Sequence, residues 1–217
     1  MKERPILLSA QMVNALRQGR KTQTRRKCKR QPTPELFQTS YRLRQNYPNP
    51  GTSTWWTADK DQLFPVLIDG VDCPYGKPGD KLWCKETWAA NWMYNDVRAN
   101  EARTNPRLEG DNLWFRADGD LPGTHGWSSN LRGKWRPSIF MPRWASRILL
   151  EITAVRVERL QNISNEDALA EGVELRGKLR PWALYRELWE SINGPGSWEA
   201  NPWVWVIEFK VLEGLNH

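Results

Sequence analysis

Residues 148–160 read Ile-Leu-Leu-Glu-Ile-Thr-Ala-Val-Arg-Val-Glu-Arg-Leu, and this stretch decides the fold. Ile152, Ala154, Val155 and Val157 are interleaved with charge, the mark of an extended segment with one face buried. Trp203–Leu212 (WVWVIEFKVL) is a second strong strand, rich in aromatic and β-branched residues. Between them Ser164 opens a short helix, with Ser164-Asn165-Glu166-Asp167 resembling a capping box and Gly172 as its stop. Pro181 then starts a helix whose apolar stripe is Trp182, Leu184, Tyr185, Leu188, Trp189 and Ile192.

Toward the N-terminus, Pro5–Leu8 is a short strand, and Ser9 caps a helix carrying Met12, Val13 and Leu16 on one face, with Gly19 its stop. Lys21–Arg26 follows as a short extended segment or turn. Phe64–Ile68 is a strand candidate before the tight-turn pair Asp69-Gly70. Lys81–Thr87 alternates Leu82 and Cys84 with Trp83 and Lys85, and Leu113–Arg116 and Pro137–Met141 also read as extended. Residues 27–62 and 89–133 are loop-rich and read as two long insertions. The result is one α+β domain over 1–217, with terminal strands suited to closing a small β-barrel.

The chain has 217 residues and a net charge of +7, distributed unevenly. Residues 1–50 hold twelve Lys and Arg against Glu3 and Glu35, while the remainder is slightly acidic. Arg17–Arg30 contains eight basic residues and no acid. That run suits a phosphate-bearing partner such as RNA, or else forms a solvated arm. Three cysteines without a C-x-x-C pair and two histidines, His125 and His217, predict neither a disulfide framework nor a zinc site. His125 reads as a loop residue. No cofactor or metal is expected, and the absence of a long apolar run or leader pattern predicts a soluble, cytoplasmic chain.

Four stretches in order go further: Gly19-Arg20-Lys21-Thr22-Gln23-Thr24-Arg25-Arg26, Gly79-Asp80-Lys81-Leu82-Trp83, Glu151–Val155 leading to Ile163-Ser164, and Trp205–Phe209. Together they resemble the ASCH domain of the PUA-like superfamily, in the longer form common in phages and prophages. The resemblance implies a small PUA-like β-barrel with flanking short helices. It also implies a cleft for RNA or nucleotides and, in small bacterial members, an amidohydrolase that converts N4-acetylcytidine to cytidine and acetate. The family's Lys and Thr of KTxT and its Glu at the end of the helix match Lys21, Thr24 and Glu171. Arg25 departs from the family, whose small members carry an apolar residue there.

Amide hydrolysis needs a nucleophile, a proton shuttle and a stabilised oxyanion. Lys21 serves as a base only if held partly deprotonated, and Arg20, Arg25 and Arg26 push it that way while Glu171 opposes them. On a regular strand residues three apart face opposite ways, so Lys21 and Thr24 converge only if the segment turns or Lys21 reaches round from the loop after Gly19. Thr22, Thr24 and Arg26 share a face. Arg20, Arg26 and Glu86 are expected to contact substrate, although Glu86 also reads as a solvent-facing strand residue. Two other functions stay open: a non-catalytic RNA-binding module using the Arg17–Arg30 run, and a metal-independent ribonuclease.

Overall fold

The computed structural model describes residues 1–29, 31, 73–97, 113–119 and 129–213. The expectations placed on Phe64–Ile68, Asp69-Gly70, Arg30, His125 and His217 lie outside the described residues. Seven strands are present among them: β1 (Glu3–Leu7), β2 (Gln23–Lys27), β3 (Lys81–Lys85), β4 (Trp88–Ala90), β5 (Leu113–Phe115), β6 (Leu149–Arg159) and β7 (Trp203–Glu213). The described helices are α1 (Ala10–Arg17), α2 (Asn165–Ala170) and α3 (Pro181–Asn193). None is long and apolar enough to cross a membrane. The α+β class is therefore as read from the sequence.

Five strands form a mixed sheet in the order β1-β3-β6-β7-β2, and β4 and β5 pair separately. β1 runs parallel to β3, β3 antiparallel to β6, and β2 antiparallel to β7. The order places β1 and β2 at opposite ends, and no closed barrel is present among the described residues. The chain divides into two compact units.

The first unit comprises Met1–Gln18, Asp80–Glu151 and Val211–His217. In α1 the Ser9 side chain accepts the Met12 N–H at 3.3 Å, and Met12, Val13, Ala15 and Leu16 are buried. Satisfying that otherwise orphaned donor is what starts the helix here. A core of Trp88, Ala90, Tyr94, Leu113, Phe115, Met141 and Ala145 lies around the β4–β5 pair. Pro137–Met141 differs from its extended reading: Ser138–Phe140 is a 3-10 turn with Pro137 (φ −56°) at its start. Proline's fixed φ is ready-made for such a turn, and the sequence pattern alone hides it.

The second unit comprises Gly19–Gly79 and Ile152–Lys210. Gly19 takes φ +70°, a conformation side chains resist, and redirects the chain toward β2. The Ser164 hydroxyl accepts the Asp167 N–H at 3.0 Å and so caps α2, which ends before Gly172 at φ +87°. Leu184, Tyr185 and Trp189 of α3 pack with Leu160, Ile163, Ala168, Val173, Trp198, Val204 and Val206, and Leu188 adds to them. The stripe is narrower than its sequence reading, since Trp182 (37%) and Ile192 (53%) are exposed.

Candidate functional site

Lys21 lies outside the regular strand, in an isolated bridge with Glu171 formed just before β2 begins. Its neighbour Thr22 donates its N–H to the Ala170 carbonyl at 2.8 Å, which fastens this segment to the end of α2. Lys21 Nζ donates to the Glu171 carbonyl oxygen at 2.8 Å and to Glu171 Oε2 at 3.0 Å. Both side chains are buried, at 0% and 2% exposure. A cation on the last carbonyls of a helix is favourably placed, and it offsets the awkward position of a carboxylate there.

Arg25 is the second cation of the cluster. Its guanidinium is wholly buried and meets three carboxylates: Asp167 at 2.9 Å, Glu158 at 3.1 Å and Glu171 Oε1 at 3.4 Å. Gln23, on the same face of β2, donates to the Asp167 carbonyl at 3.0 Å. Arg156 reaches Asp167 at 3.1 Å and also pairs with Glu158 and Glu208. Three cations and four carboxylates are thus interlocked over β2, β6, β7 and α2.

The electrostatics follow from burial and pairing. Burial pushes the Lys21 ammonium toward its neutral form, Glu171 pulls it back, and Arg26 and Arg25 add to the push. The balance lies below the ordinary lysine value. Burial raises the Asp167 carboxyl, but Arg25 and Arg156 outweigh it and hold the group below its usual range. The Tyr185 phenol is pushed well above its ordinary value by burial and by the Glu171 charge.

Thr24 is buried and pairs with Ile207 across β2–β7. The pleat turns it to the face opposite Gln23 and Arg25, together with half-buried Arg26. Lys21 and Glu171 are brought together, whereas both Lys21 hydrogen bonds go to Glu171 and neither to Thr24. Arg20 donates to the Gly172 carbonyl at 3.0 Å.

Glu86 belongs to another cluster. It is 1% exposed, not the solvent-facing residue of its sequence reading: it keeps the parity of buried Leu82 and Cys84, and Arg147 supplies the partner its carboxylate needs on that face. Arg147 grips both Glu86 oxygens, at 2.9 and 3.0 Å, and also pairs with Asp118, which Arg17 meets in turn. Burial raises the Glu86 carboxyl and Arg147 opposes the rise. Each Glu86 oxygen is therefore already committed to Arg147.

Part of the Arg17–Arg30 run is committed within the protein. Arg17 is ion-paired, Arg20 holds a carbonyl, and Lys21 and Arg25 are buried, while Lys27 and Lys29 are exposed. The three cysteines are buried, and burial with Cys73 nearby pushes the Cys28 thiol up to about 12, away from the nucleophilic thiolate. Among the described residues no group of three or more His, Cys, Asp or Glu is placed to hold a metal ion. Sequence reasoning missed Asp167, Glu158 and Arg156 as members of the cluster. The one available signal was Asp167 at the third position of the capping motif.

Compared with family models, curated proteins and solved structures, the chain finds no match.

Proposed function

We propose that the chain is an amidohydrolase of the ASCH kind, removing the acyl group from N4-acetylcytidine or a related N4-acylated cytosine nucleoside. One observation carries this reading: a lysine with depressed proton affinity is held in a buried bridge to Glu171, a residue 150 positions away. A base working near neutral pH needs that depression, because an ordinary lysine titrates near ~10.4. The pair also coincides with two of the three positions that the ASCH resemblance assigns to catalysis.

In this mechanism the Thr24 hydroxyl attacks the acyl carbonyl while neutral Lys21 takes its proton. The tetrahedral oxyanion collapses, the C–N bond breaks, and the lysine proton passes to the departing N4 amine. Water then attacks the acyl-threonine with Lys21 again taking its proton, the C–Oγ bond breaks, and Lys21 returns the proton to the Thr24 oxygen as the carboxylate leaves. Glu171 orients the ammonium between the two proton transfers. Arg26, on the face of Thr24, is near enough to lower the proton affinity of Lys21 and is the cation proposed for the oxyanion. Arg20 would help hold the substrate. Thr24 faces away from the Glu171 cluster, so the mechanism requires Lys21 to leave Glu171 and reach Thr24 when substrate binds.

A second reading rests on the burial itself. At 0% and 2% exposure, Lys21 and Glu171 also suit a purely structural clasp between β2 and α2. An RNA-binding module or a ribonuclease draws less support, because Arg17, Lys21 and Arg25 are paired within the protein. Incubation of the purified protein with N4-acetylcytidine, followed chromatographically for cytidine, tests the proposal. Cytidine release lost in Lys21→Ala supports it, and no release from a folded wild-type protein rejects it.

A further inference from the structure

Residues 121–150 carry five Lys and Arg (Arg132, Lys134, Arg136, Arg143 and Arg147) and no Asp or Glu. Three of these cations alternate along Arg132-Gly133-Lys134-Trp135-Arg136, with a tryptophan among them. Within the first unit, Lys134, Trp135 and Arg136 line an open groove of about 540 Å³ together with Lys85, Ile139 and Phe140. That volume is of the size that takes a small-molecule ligand or a short length of a polymer.

The groove combines charge with bare aromatic surface. Phe140 is 65% exposed and Ile139 60%, both on the 3-10 turn after Pro137. Lys134 is 61% exposed, and among the described residues its single acidic contact is a long one of 3.7 Å to the wholly exposed Asp96. Lys85 donates to the Ile139 carbonyl, which leaves its other ammonium protons for a ligand. Arg136 donates to the Val97 and Tyr94 carbonyls and so fixes the wall. The Trp135 ring carries the Arg132 guanidinium at 4.5 Å and that of Arg116 at 5.4 Å.

We propose that this groove binds single-stranded nucleic acid, with backbone phosphates on Lys134 and Lys85 and a base stacked on Phe140. A ligand that is polyanionic and also offers flat apolar faces satisfies both halves of the surface. An acidic peptide supplies the charge but no repeating planar faces. A duplex keeps its base faces stacked inside. The groove lies outside the four stretches that resemble the ASCH domain, and the inference is independent of the amidohydrolase reading.

The test is fluorescence anisotropy of the full chain with a labelled oligouridylate of about twelve nucleotides, a length within single-strand site sizes. Oligothymidylate of the same length forms a second arm, and both should bind, because both offer phosphates and free base faces. Lys134→Ser should lower the slope of log affinity against log salt by roughly 0.7. Phe140→Ala should weaken binding roughly five-fold or more at fixed salt while leaving the slope unchanged. Phe140→Leu should lose as much, since it keeps apolar bulk without the ring. Lys27→Ser with Lys29→Ser should bind as wild type. Absence of binding at low salt overturns the proposal. So does binding that neither Phe140 variant weakens, or that Lys134→Ser leaves with an unchanged slope.

Discussion

Lys21 Nζ sits 3.0 Å from Glu171 Oε2, and Arg25 Nη1 sits 3.4 Å from the other oxygen of the same carboxylate. One buried anion is therefore shared by two buried cations. Arg25 is tied further to Asp167 and Glu158, so it behaves as a fixed charge, while burial lowers the proton affinity of Lys21. The proton affinity of Lys21 is set by this contest and not by burial alone.

Opposite shifts of the pH profile follow. If neutral Lys21 is the base, kcat/KM rises with pH through its folded pKa. Arg25→Gln removes a positive neighbour, so Lys21 holds its proton more tightly and the acidic limb moves to higher pH. Glu171→Gln removes the anion that raises Lys21, so any residual activity has its limb at lower pH. Profiles measured on N4-acetylcytidine check both directions, and a purely structural role would lower the amplitude without moving the limbs.

Stability should respond to Asp167 in a pH-dependent way. Its carboxyl is held below the ordinary value, so its contribution is fully present above ~3.9 and disappears as pH falls through the folded value. Asp167→Asn should cost roughly 1.5–3 kcal/mol at neutral pH, the scale of hydrogen bonds to charged groups. Urea denaturation at pH 7 and again near the acid limit of folding measures the gap, which should narrow on acidification.

In the first unit, Arg147 bridges the Glu86 and Asp118 carboxylates. Arg147→Met leaves a fully buried Glu86 without its partner and should destabilise by about 3–5 kcal/mol. Pairing the substitution with Glu86→Leu should recover part of that loss, as denaturant midpoints of the single and double variants would show.

Deacylation should continue in EDTA. The proposed proton transfers use a lysine and a threonine hydroxyl, and the cluster around Lys21 saturates its carboxylates with Lys21, Arg25 and Arg156. Turnover that falls with chelator and returns with added metal would reject the Thr–Lys mechanism.

Much of the framework was legible because it rests on local rules. Ser9 and Ser164 cap helices as their side chains allow, and β6 and β7 announce themselves through β-branched and aromatic runs. Contacts between distant segments were not legible. Arg25 stood in a run of cations that looked solvated, and only the approach of α2 and β6 supplies the carboxylates that bury it. Glu86 shares the parity of buried Leu82 and Cys84, and it was misread because its partner there, Arg147, lies 61 residues away in the sequence. The basic and aromatic segment after Asn130 was hidden by taking charge over the whole remainder of the chain, where acids elsewhere mask it.

The most direct measurement is kcat/KM for N4-acetylcytidine in Lys21→Met, with circular dichroism and thermal unfolding on the same sample, beside Thr24→Ala and Thr24→Ser. Loss of the base should cost about 10²–10⁴-fold in a protein that still folds. Thr24→Ala should be inactive, and Thr24→Ser should retain part of the rate through its hydroxyl. A folded Lys21→Met or Thr24→Ala that turns over substrate like the wild type would contradict the account and leave the Lys21–Glu171 bridge as a clasp between β2 and α2.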